Sequence, residues 1–398
     1  MSEAPVSGAR GSEARLRGLR VEPIDEARRP AWDAFVAAAP QGDVLQSWAW
    51  GDVAAWRGEP PTRLGLLGSD GALRGLAQVL VRPTLLGRTV LYVPHGPLWD
   101  PADPGALQLL LEAIAAVAGE AGGIVVKLDP RGDGLAPDDL ERLDETLAAR
   151  GLRPARQFLQ APVTQVVDLA GGPEAIRRGW QQLARRNVSR AEREGVTTRV
   201  DREGEATAVA AFQRVHAETA RRGGFVPRSQ AFLERLAEAF APGGGWYLCL
   251  AEKDGRTISG MLALRFGDRA FYLYGGSSGD PADREARPGY ATMAGLMHGL
   301  AADGVRTLDM WGIADGGSEE RAAAATTRGA APADRDAATT NQSDGGSEQR
   351  SWGGFSFFKQ RFGGTEVRHA GTWDLVVAPG WYRLRDLAER ARAAVSRR

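Results

Sequence analysis

The chain has 398 residues, more than one ordinary hydrophobic core serves, so two domains are expected. Its 50 basic and 50 acidic side chains cancel, which removes any global pull toward nucleic acid or an anionic membrane and leaves such contacts to local patches. A single cysteine, Cys249, excludes a disulfide framework and a cysteine metal centre; His95, His216, His298 and His369 lack ligand spacing, so neither a metal nor a bound cofactor is expected.

Residues 1–18 contain no apolar core of a signal peptide and read as a disordered tail on a cytoplasmic protein. No apolar run is long enough to cross a membrane. A strand is expected over Leu19–Ile24, then a helix over Pro30–Ala39 with Trp32 and Phe35 inward. The stretch Val44–Gly58 is rich in tryptophan and reads as a core helix. Thr62–Leu67 and Leu73–Val81 form a hairpin pattern around Gly68–Gly71, and Thr89–Val93 is a further strand that ends in YVPHGPLWD. Helices over Asp100–Gly122 and Pro137–Arg150 flank a buried strand, Ile124–Leu128, which closes in KLDPR. Asp129 stands at that strand end, either facing a cleft or serving as the turn residue before Pro130.

A strand over Gln165–Leu169 opens the second half. The periodicity then predicts one long helix, Glu174–Glu194, with Ile176, Trp180, Leu183, Ala184, Val188 and Ala191 on one arc. Arg178, Arg185, Arg186, Arg190 and Arg193 share the other arc, which is either a phosphate-binding face or a solvated one. Helices over Glu205–Arg222 and Arg228–Phe240, a hairpin of Trp246–Lys253 with Thr257–Phe266, a strand from Arg269, a helix over Tyr290–Asp303 and a strand over Thr307–Trp311 follow. Each half thus reads as a diverged copy of one α/β unit. Residues 314–350 carry no aromatic and almost no large aliphatic side chain, so they read as a disordered insertion, inert or acting as a lid. Strands within Val367–Val377 and a basic helix from Trp381 close the chain.

Between residues 314–350 and those last strands lies WGGFSFFKQRFGG, Trp352–Gly364, an aromatic segment bracketed by glycine pairs. On a helical wheel Phe355, Phe358 and Phe362 share one side and Lys359 projects close to it. Such a lysine either snorkels, its stem covering the rings, or holds a positive charge in dry surroundings for an anion that appears during a reaction.

QSWAWGDV, YVPHGPLWD, KLDP, ARRNVSRAEREGV, FYLYGGSS, LDMWGI and FSFFKQRFGG occur in the order seen in Fem-type (FemAB/FemX) peptidyltransferases, and the chain resembles that family from about residue 20 to 385. The resemblance implies an α/β (α+β) fold of two tandem GNAT-like acyltransferase domains: 19–160 plus 369–398 as the first, 161–368 as the second. It implies aminoacyl transfer from aminoacyl-tRNA to an amine of a peptidoglycan precursor, with a UDP-linked or lipid-linked muropeptide held between the domains and, at most, peripheral contact with the inner membrane face. Carried onto this chain, Lys359 helps stabilise the transferring acyl group and Asp129 lies near the acceptor. Arg186, Asn187, Arg190, Tyr272, Tyr274 and Phe358 contribute to the substrate site. Two features depart from the family. Relatives often carry a lysine where this chain has Ala54, and nothing between Ala191 and Phe212 resembles a coiled-coil arm.

The expected chemistry is aminolysis of an ester, with Lys359 as oxyanion donor and Asp129 orienting the attacking amine or taking its proton. Arg186 and Arg190 would hold diphosphate or a carboxylate. A GNAT-like enzyme using acyl-CoA is the alternative, as is transfer to another amino-acceptor such as an exopolysaccharide precursor. The CoA pyrophosphate pattern [RQ]xxGx[GA] is matched only by ARPGYA, Ala286–Ala291, with alanine at its first position. A non-catalytic RNA-binding protein would use the arginine face and leave Lys359 without a role.

Overall fold

The computed structural model describes residues 18–314 and 356–396. The tail, nearly all of the insertion over 314–350, and Phe355 with the preceding Trp352, Gly353 and Gly354 lie outside the described residues. The described chain divides into two compact units: 18–160 with 369–396, and 161–314 with 356–368.

In the first unit, β1 (Arg20–Pro23) leads to helices α1 (Arg29–Ala38) and α2 (Trp48–Trp56). Ser47 starts α2 because its hydroxyl accepts from the Trp50 N–H at 3.2 Å, satisfying a donor the helix leaves open. Strands β2 (Pro61–Leu67), β3 (Leu73–Pro83), β4 (Thr89–Val93) and the short β5 (Leu98–Trp99) precede α3 (Pro104–Glu120), capped by Asp103. Then come β6 (Gly123–Leu128), α4 (Pro137–Ala149) and β7 (Arg153–Pro154). The sheet runs β1-β2-β3-β4-β6-β15-β7, with β5 on β3; β15 (Trp373–Val376) arrives from the far end of the chain to pair antiparallel with β6. Strands β4 and β6 are parallel, which the α3 crossover requires. Leu107, Leu110 and Ile114 of α3 pack on Leu66, Val79 and Val126 of the sheet.

The second unit opens with β8 (Val163–Asp168), helices α5 (Gly172–Gly179) and α6 (Gln182–Arg193), and β9 (Thr197–Asp201). Helices α7 (Ala206–Gly223) and α8 (Gln230–Phe240) follow, then β10 (Trp246–Lys253), β11 (Arg256–Phe266) and β12 (Arg269–Ser277). The β10–β11 turn is Asp254-Gly255, both residues at positive φ, as a two-residue hairpin turn of that hand demands. Helices α9 (Pro281–Glu285) and α10 (Pro288–Ala302), then β13 (Thr307–Gly312) and β14 (Thr365–Arg368), complete a sheet ordered β14-β8-β13-β12-β11-β10-β9. The parallel pair is β12 with β13. Hairpin, third strand, crossover helix and parallel fourth strand therefore occur in both units, as β2-β3-β4-α3-β6 and β10-β11-β12-α10-β13. The last helix, α11 (Pro379–Ser396), belongs to the first unit.

Three expectations need correction. The long helix over Glu174–Glu194 is two helices, broken where Trp180 takes an extended conformation. Trp180 is fully buried there, beside Phe362 (5.4 Å) and His298 (5.7 Å), and burying that ring outweighs continuing the helix. In α1 it is Val36, not Phe35, that joins Trp32 in the core. Trp56, at the end of α2, is half exposed rather than core.

Candidate functional site

Chemistry-bearing side chains gather in one cluster in each unit. In the second, β12 and β13 pair over only three positions, Arg269–Phe271 with Thr307–Asp309, although both strands continue. Each is irregular just beyond that ladder. The β11–β12 register shifts between Leu262 and Ala263, and the β8–β13 register shifts between Asp309 and Gly312, where Trp311 has a φ of 62°. Extra residues of this kind kink a strand and end its pairing. Asp309 holds the kink in β13, accepting from the Trp311 N–H at 2.7 Å and from the Thr164 hydroxyl.

Lys359 comes to this point from the helical residues 356–360. Its Nζ donates to the Gly312 carbonyl at 2.7 Å and stands 5.7 Å from the centre of the Tyr272 ring. The residue is 7% exposed. Burial pulls its ammonium down to about 8, with Asp309 pulling the other way. An ammonium has three N–H groups, and the Gly312 carbonyl engages one of them. Tyr272 is buried with its hydroxyl over Gly275; a Cβ there would fall 2.1 Å from that oxygen, so only glycine fits. Burial pushes the Tyr272 phenol well up, keeping it a neutral donor.

Other segments fix the Lys359 segment in place. Phe362 is fully buried, while Phe358 is half-buried and meets Tyr290 edge to face at 5.0 Å. Gly363 lies so close to the α5 terminus that a Cβ would sit 2.4 Å from the Gly179 carbonyl oxygen, and its φ is 73°. The Gln181 N–H donates to the Arg361 carbonyl at 2.8 Å, and Gln165 donates to the Gly363 carbonyl. The α5–α6 break is therefore the seat of the lysine segment.

Of the remaining expected residues, Tyr274 is not beside Tyr272. Residues two apart share a face of a regular strand, but the bulge between them reverses the alternation. Tyr274 packs on the opposite face with His216 (6.0 Å) and Phe232 (6.1 Å), under the Arg228 guanidinium. Arg186 on α6 is exposed; Asn187 and Arg190 are partly buried. Among the described residues, Arg186 and Arg190 make no ion pair. Arg185 turns inward to the Arg178 and Trp180 carbonyls at the end of α5, and Arg177 binds the Ser189 hydroxyl at 2.9 Å. The five-arginine face therefore does not exist as one surface: Arg178 belongs to a different helix and Arg185 is committed to backbone.

The first unit holds Asp129, 2% exposed, with both carboxylate oxygens engaged. Oδ2 accepts from the Tyr92 hydroxyl at 2.8 Å, and Oδ1 accepts from the His95 N–H at 2.6 Å. Gln160 donates to the same Tyr92 hydroxyl at 3.0 Å. His95 has a φ of 46°, and its Nδ1 lies 2.9 Å from Asp43 Oδ2. Arg131 links Asp43 (2.6 Å) to Asp133 (2.6 and 3.1 Å), and the Gly132 N–H donates to His369 Nδ1 at 3.1 Å. Burial alone would raise Asp43, but His95, Arg131 and the Leu45 N–H outweigh it and hold the carboxyl far below its usual range. For Asp129 burial outweighs the pull of His95 and the hydrogen bonds from Tyr92 and the His95 N–H, and its carboxyl is raised. His369 is pushed down to about 3 by burial and by Arg131. Ala54 is buried against Tyr92 and Leu159, so this position supplies no cation.

In the sequence Asp43, Arg131 and Asp309 were passed over and His95 was considered only as a metal ligand, though three of the four sit inside or beside quoted motifs: His95 in YVPHGPLWD, Arg131 just after KLDP and Asp309 in LDMWGI. A charged residue next to a strand that ends in a proline or glycine break was the available signal.

Residues 28–134 match the model of the FemAB family, and residues 177–320 match that of the acetyltransferase (GNAT) domain. Lys359 lies outside both segments. Among curated proteins the chain is similar to the Lipid II:glycine glycyltransferase of Staphylococcus saprophyticus, 28% identical over 236 residues, covering 57% of this chain and 55% of that one. The protein of the same name from Staphylococcus aureus is 27% identical over 228 residues, covering 56% and 53%. The chain thus spans about half the length of the curated relatives it matches. Among solved structures, the crystal structure of FemX superposes with a TM-score of 0.73 at 19% identity, covering 92% of this chain and 99% of that one, a likeness of fold. The FemAB segment, these relatives and the tandem GNAT-like fold together support a Fem-type family for this chain.

Proposed function

We propose that this chain transfers an aminoacyl group from aminoacyl-tRNA to an amine on the peptide of a UDP-linked or lipid-linked peptidoglycan precursor, at the cytoplasmic side of the cell envelope. The observation that carries the proposal is the Lys359 ammonium, held dry where β12 and β13 part, in a chain whose relatives are named Lipid II:glycine glycyltransferase. The acceptor amine attacks the ester carbonyl carbon. A C–N bond forms, the carbonyl oxygen becomes an oxyanion, the C–O bond to the ribose breaks, and the amine's proton ends on the ribose oxygen. The ester is already activated, so a fixed positive charge at the oxyanion and good positioning supply most of the acceleration. Lys359 serves that purpose. Its surroundings strengthen the interaction, and at about 8 its titration leaves it mostly protonated at neutral pH.

Asp129 accepts one hydrogen bond on each oxygen, so its part in this scheme is to hold the His95 backbone and Tyr92 in place. Arg186 and Arg190 contact phosphate or carboxylate of either substrate, with Asn187, Tyr272 and Phe358 lining the site and Tyr274 supporting β12 from behind. An acyl-CoA donor is disfavoured. A diphosphate cradle needs successive free backbone N–H groups at a helix start, but α10 begins with Pro288, and Ala286 before it is buried.

The test offers purified protein a labelled amino acid on tRNA, with UDP-linked and lipid-linked muropeptides as acceptors and an acyl-CoA thioester as rival donor. Transfer from tRNA to either muropeptide is expected. Turnover of the thioester alone would overturn the reading.

A further inference from the structure

No helix among the described residues is long and apolar enough to cross a membrane, yet one edge of the first unit presents leucines to solvent. Helix α11 docks through Tyr382 and Asp386: the Tyr382 hydroxyl donates to Asp374 at 2.9 Å, and Asp386 pairs with Arg156 at 3.0 Å. At about 100° per residue, Leu384 lies almost opposite both anchors, and Leu387 lies on the same outward side. They are 57% and 61% exposed. An amphipathic helix normally turns its apolar stripe inward; α11 docks through the Trp381 and Tyr382 rings and the Asp386 pair and leaves Leu384 and Leu387 outward.

A second element joins this edge. The β3–β4 loop carries Leu86 at its tip, 81% exposed with a φ of 60°. Two residues on, the Arg88 guanidinium lies 4.9 Å over the ring of Trp381, one helical turn before Leu384. Trp381 is half-buried against Val90, Ile124 and Val125. The edge therefore combines outward leucines from two elements, a tryptophan at the boundary, and the cations Arg88 and Arg383, with Arg383 exposed and in no ion pair among the described residues. Outward apolar residues flanked by arginine and tryptophan match the layering of an anionic bilayer surface, where leucine enters the acyl boundary, tryptophan the interface and arginine the headgroups.

We propose that the Leu86 loop and the Leu384–Leu387 face of α11 together dock this protein onto an anionic phospholipid bilayer. The docking is peripheral: the apolar area is small, so the leucines and the cations are both needed. The inference does not rest on the acyl-transfer reading, and its test contains no lipid-linked substrate, so the two can fail separately.

The experiment is flotation of the full chain with vesicles of phosphatidylglycerol and phosphatidylcholine, against phosphatidylcholine alone. The wild type is expected to float with the anionic vesicles, less so in about 0.5 M salt, where surface charge is screened. Leu86→Asp with Leu384→Asp should weaken binding by about tenfold or more with melting temperature unchanged, because neither side chain is buried. Arg383→Glu should weaken binding to anionic vesicles alone. Wild-type protein that stays unbound, or a double variant that floats as the wild type does, overturns the proposal. So does a wild-type dimer that the double variant makes monomeric without any flotation, since the face would then belong to a second copy of the chain.

Discussion

Lys359 carries a charge in surroundings that penalise it, and that penalty separates a catalytic lysine from a packing one. If the ammonium serves an oxyanion, Lys359→Met should lower kcat by about 10²–10³ with little change in KM, since the charge it opposes exists only in the transition state. Lys359→Arg should restore only part of the loss, because a planar guanidinium cannot reproduce a point charge beside Tyr272. A stable methionine variant that keeps a third or more of wild-type kcat would reduce Lys359 to a packing role. The pH dependence follows from the same burial. Activity should fall on the alkaline side with an apparent value near 8 as Lys359 loses its proton. Folding stability should move the other way. The unfolded lysine keeps its proton up to about 10.5 and the folded one only to about 8, so stability rises with pH across that window. Lys359→Met should remove both effects, and denaturant titrations at several pH values read the second.

His369 gives the same sign at acid pH. Its folded value, about 3, lies below the 6.5 of a free imidazole. The unfolded chain therefore takes up the extra proton between those values, and stability contributed by the neutral ring is lost as pH falls through them. His369→Gln offers the Gly132 N–H a carbonyl acceptor without the titration, so the loss of stability between pH 6.5 and 4 should flatten. At this scale the sequence was informative about identity and poor about surroundings. It singled out Lys359 and Asp129, and both are buried. It could not show that both Asp129 oxygens accept hydrogen bonds from Tyr92 and His95, because those partners are brought in by the end of β4.

At the scale of elements, most helices and strands were legible because their apolar spacing is regular, as in α3 and the β10–β11 hairpin. The misreadings share a cause. The α5–α6 break and the reversed Tyr272–Tyr274 alternation are local irregularities imposed by distant chain, which no local period encodes. The break, made by Trp180, seats Gly363 against the Gly179 carbonyl, so Gly363→Ala tests that seat. The added Cβ meets a backbone oxygen at 2.4 Å in a left-handed conformation. It should cost more than about 1 kcal/mol, the usual penalty for such a backbone outlier, and lower kcat further by displacing the Lys359 segment. Full activity in that variant would show that the seat is not needed. The broken helix also narrows the arginine prediction. Arg186→Ala and Arg190→Ala should raise KM for a substrate with little effect on kcat, each by about 1.5–3 kcal/mol of lost binding if the contact is to a charged group. Arg185→Ala should instead lower stability, because its partners are the carbonyls that end α5.

Across the whole molecule, the same hairpin, crossover helix and parallel pair appear in each unit, yet only the second has its parallel ladder cut to three positions. That difference is where the two copies diverge in structure, and the opened ladder is where Lys359 lies. The chain leaves the sheet just after it, at Ala314, and re-enters at Ser356, whose hydroxyl accepts from the Ala314 N–H at 2.7 Å. Departure and return are therefore adjacent. Shortening a loop whose ends already meet changes only its closure entropy, which varies slowly with length and favours the shorter loop. Replacing residues 316–349 by a short glycine-serine linker should thus leave the melting temperature within a few degrees, as for a change below about 1 kcal/mol. The same variant separates two roles for the segment. Unchanged kcat and KM make it an inert insertion. A fall in kcat at unchanged stability makes it a cover over the Lys359 site, because the anchoring Ala314–Ser356 contact lies only two residues from Gly312 and three from the lysine in sequence. A large loss of stability would contradict both, since it would require residues 316–349 to bury apolar surface that their alanine, threonine, glycine and charged composition does not supply.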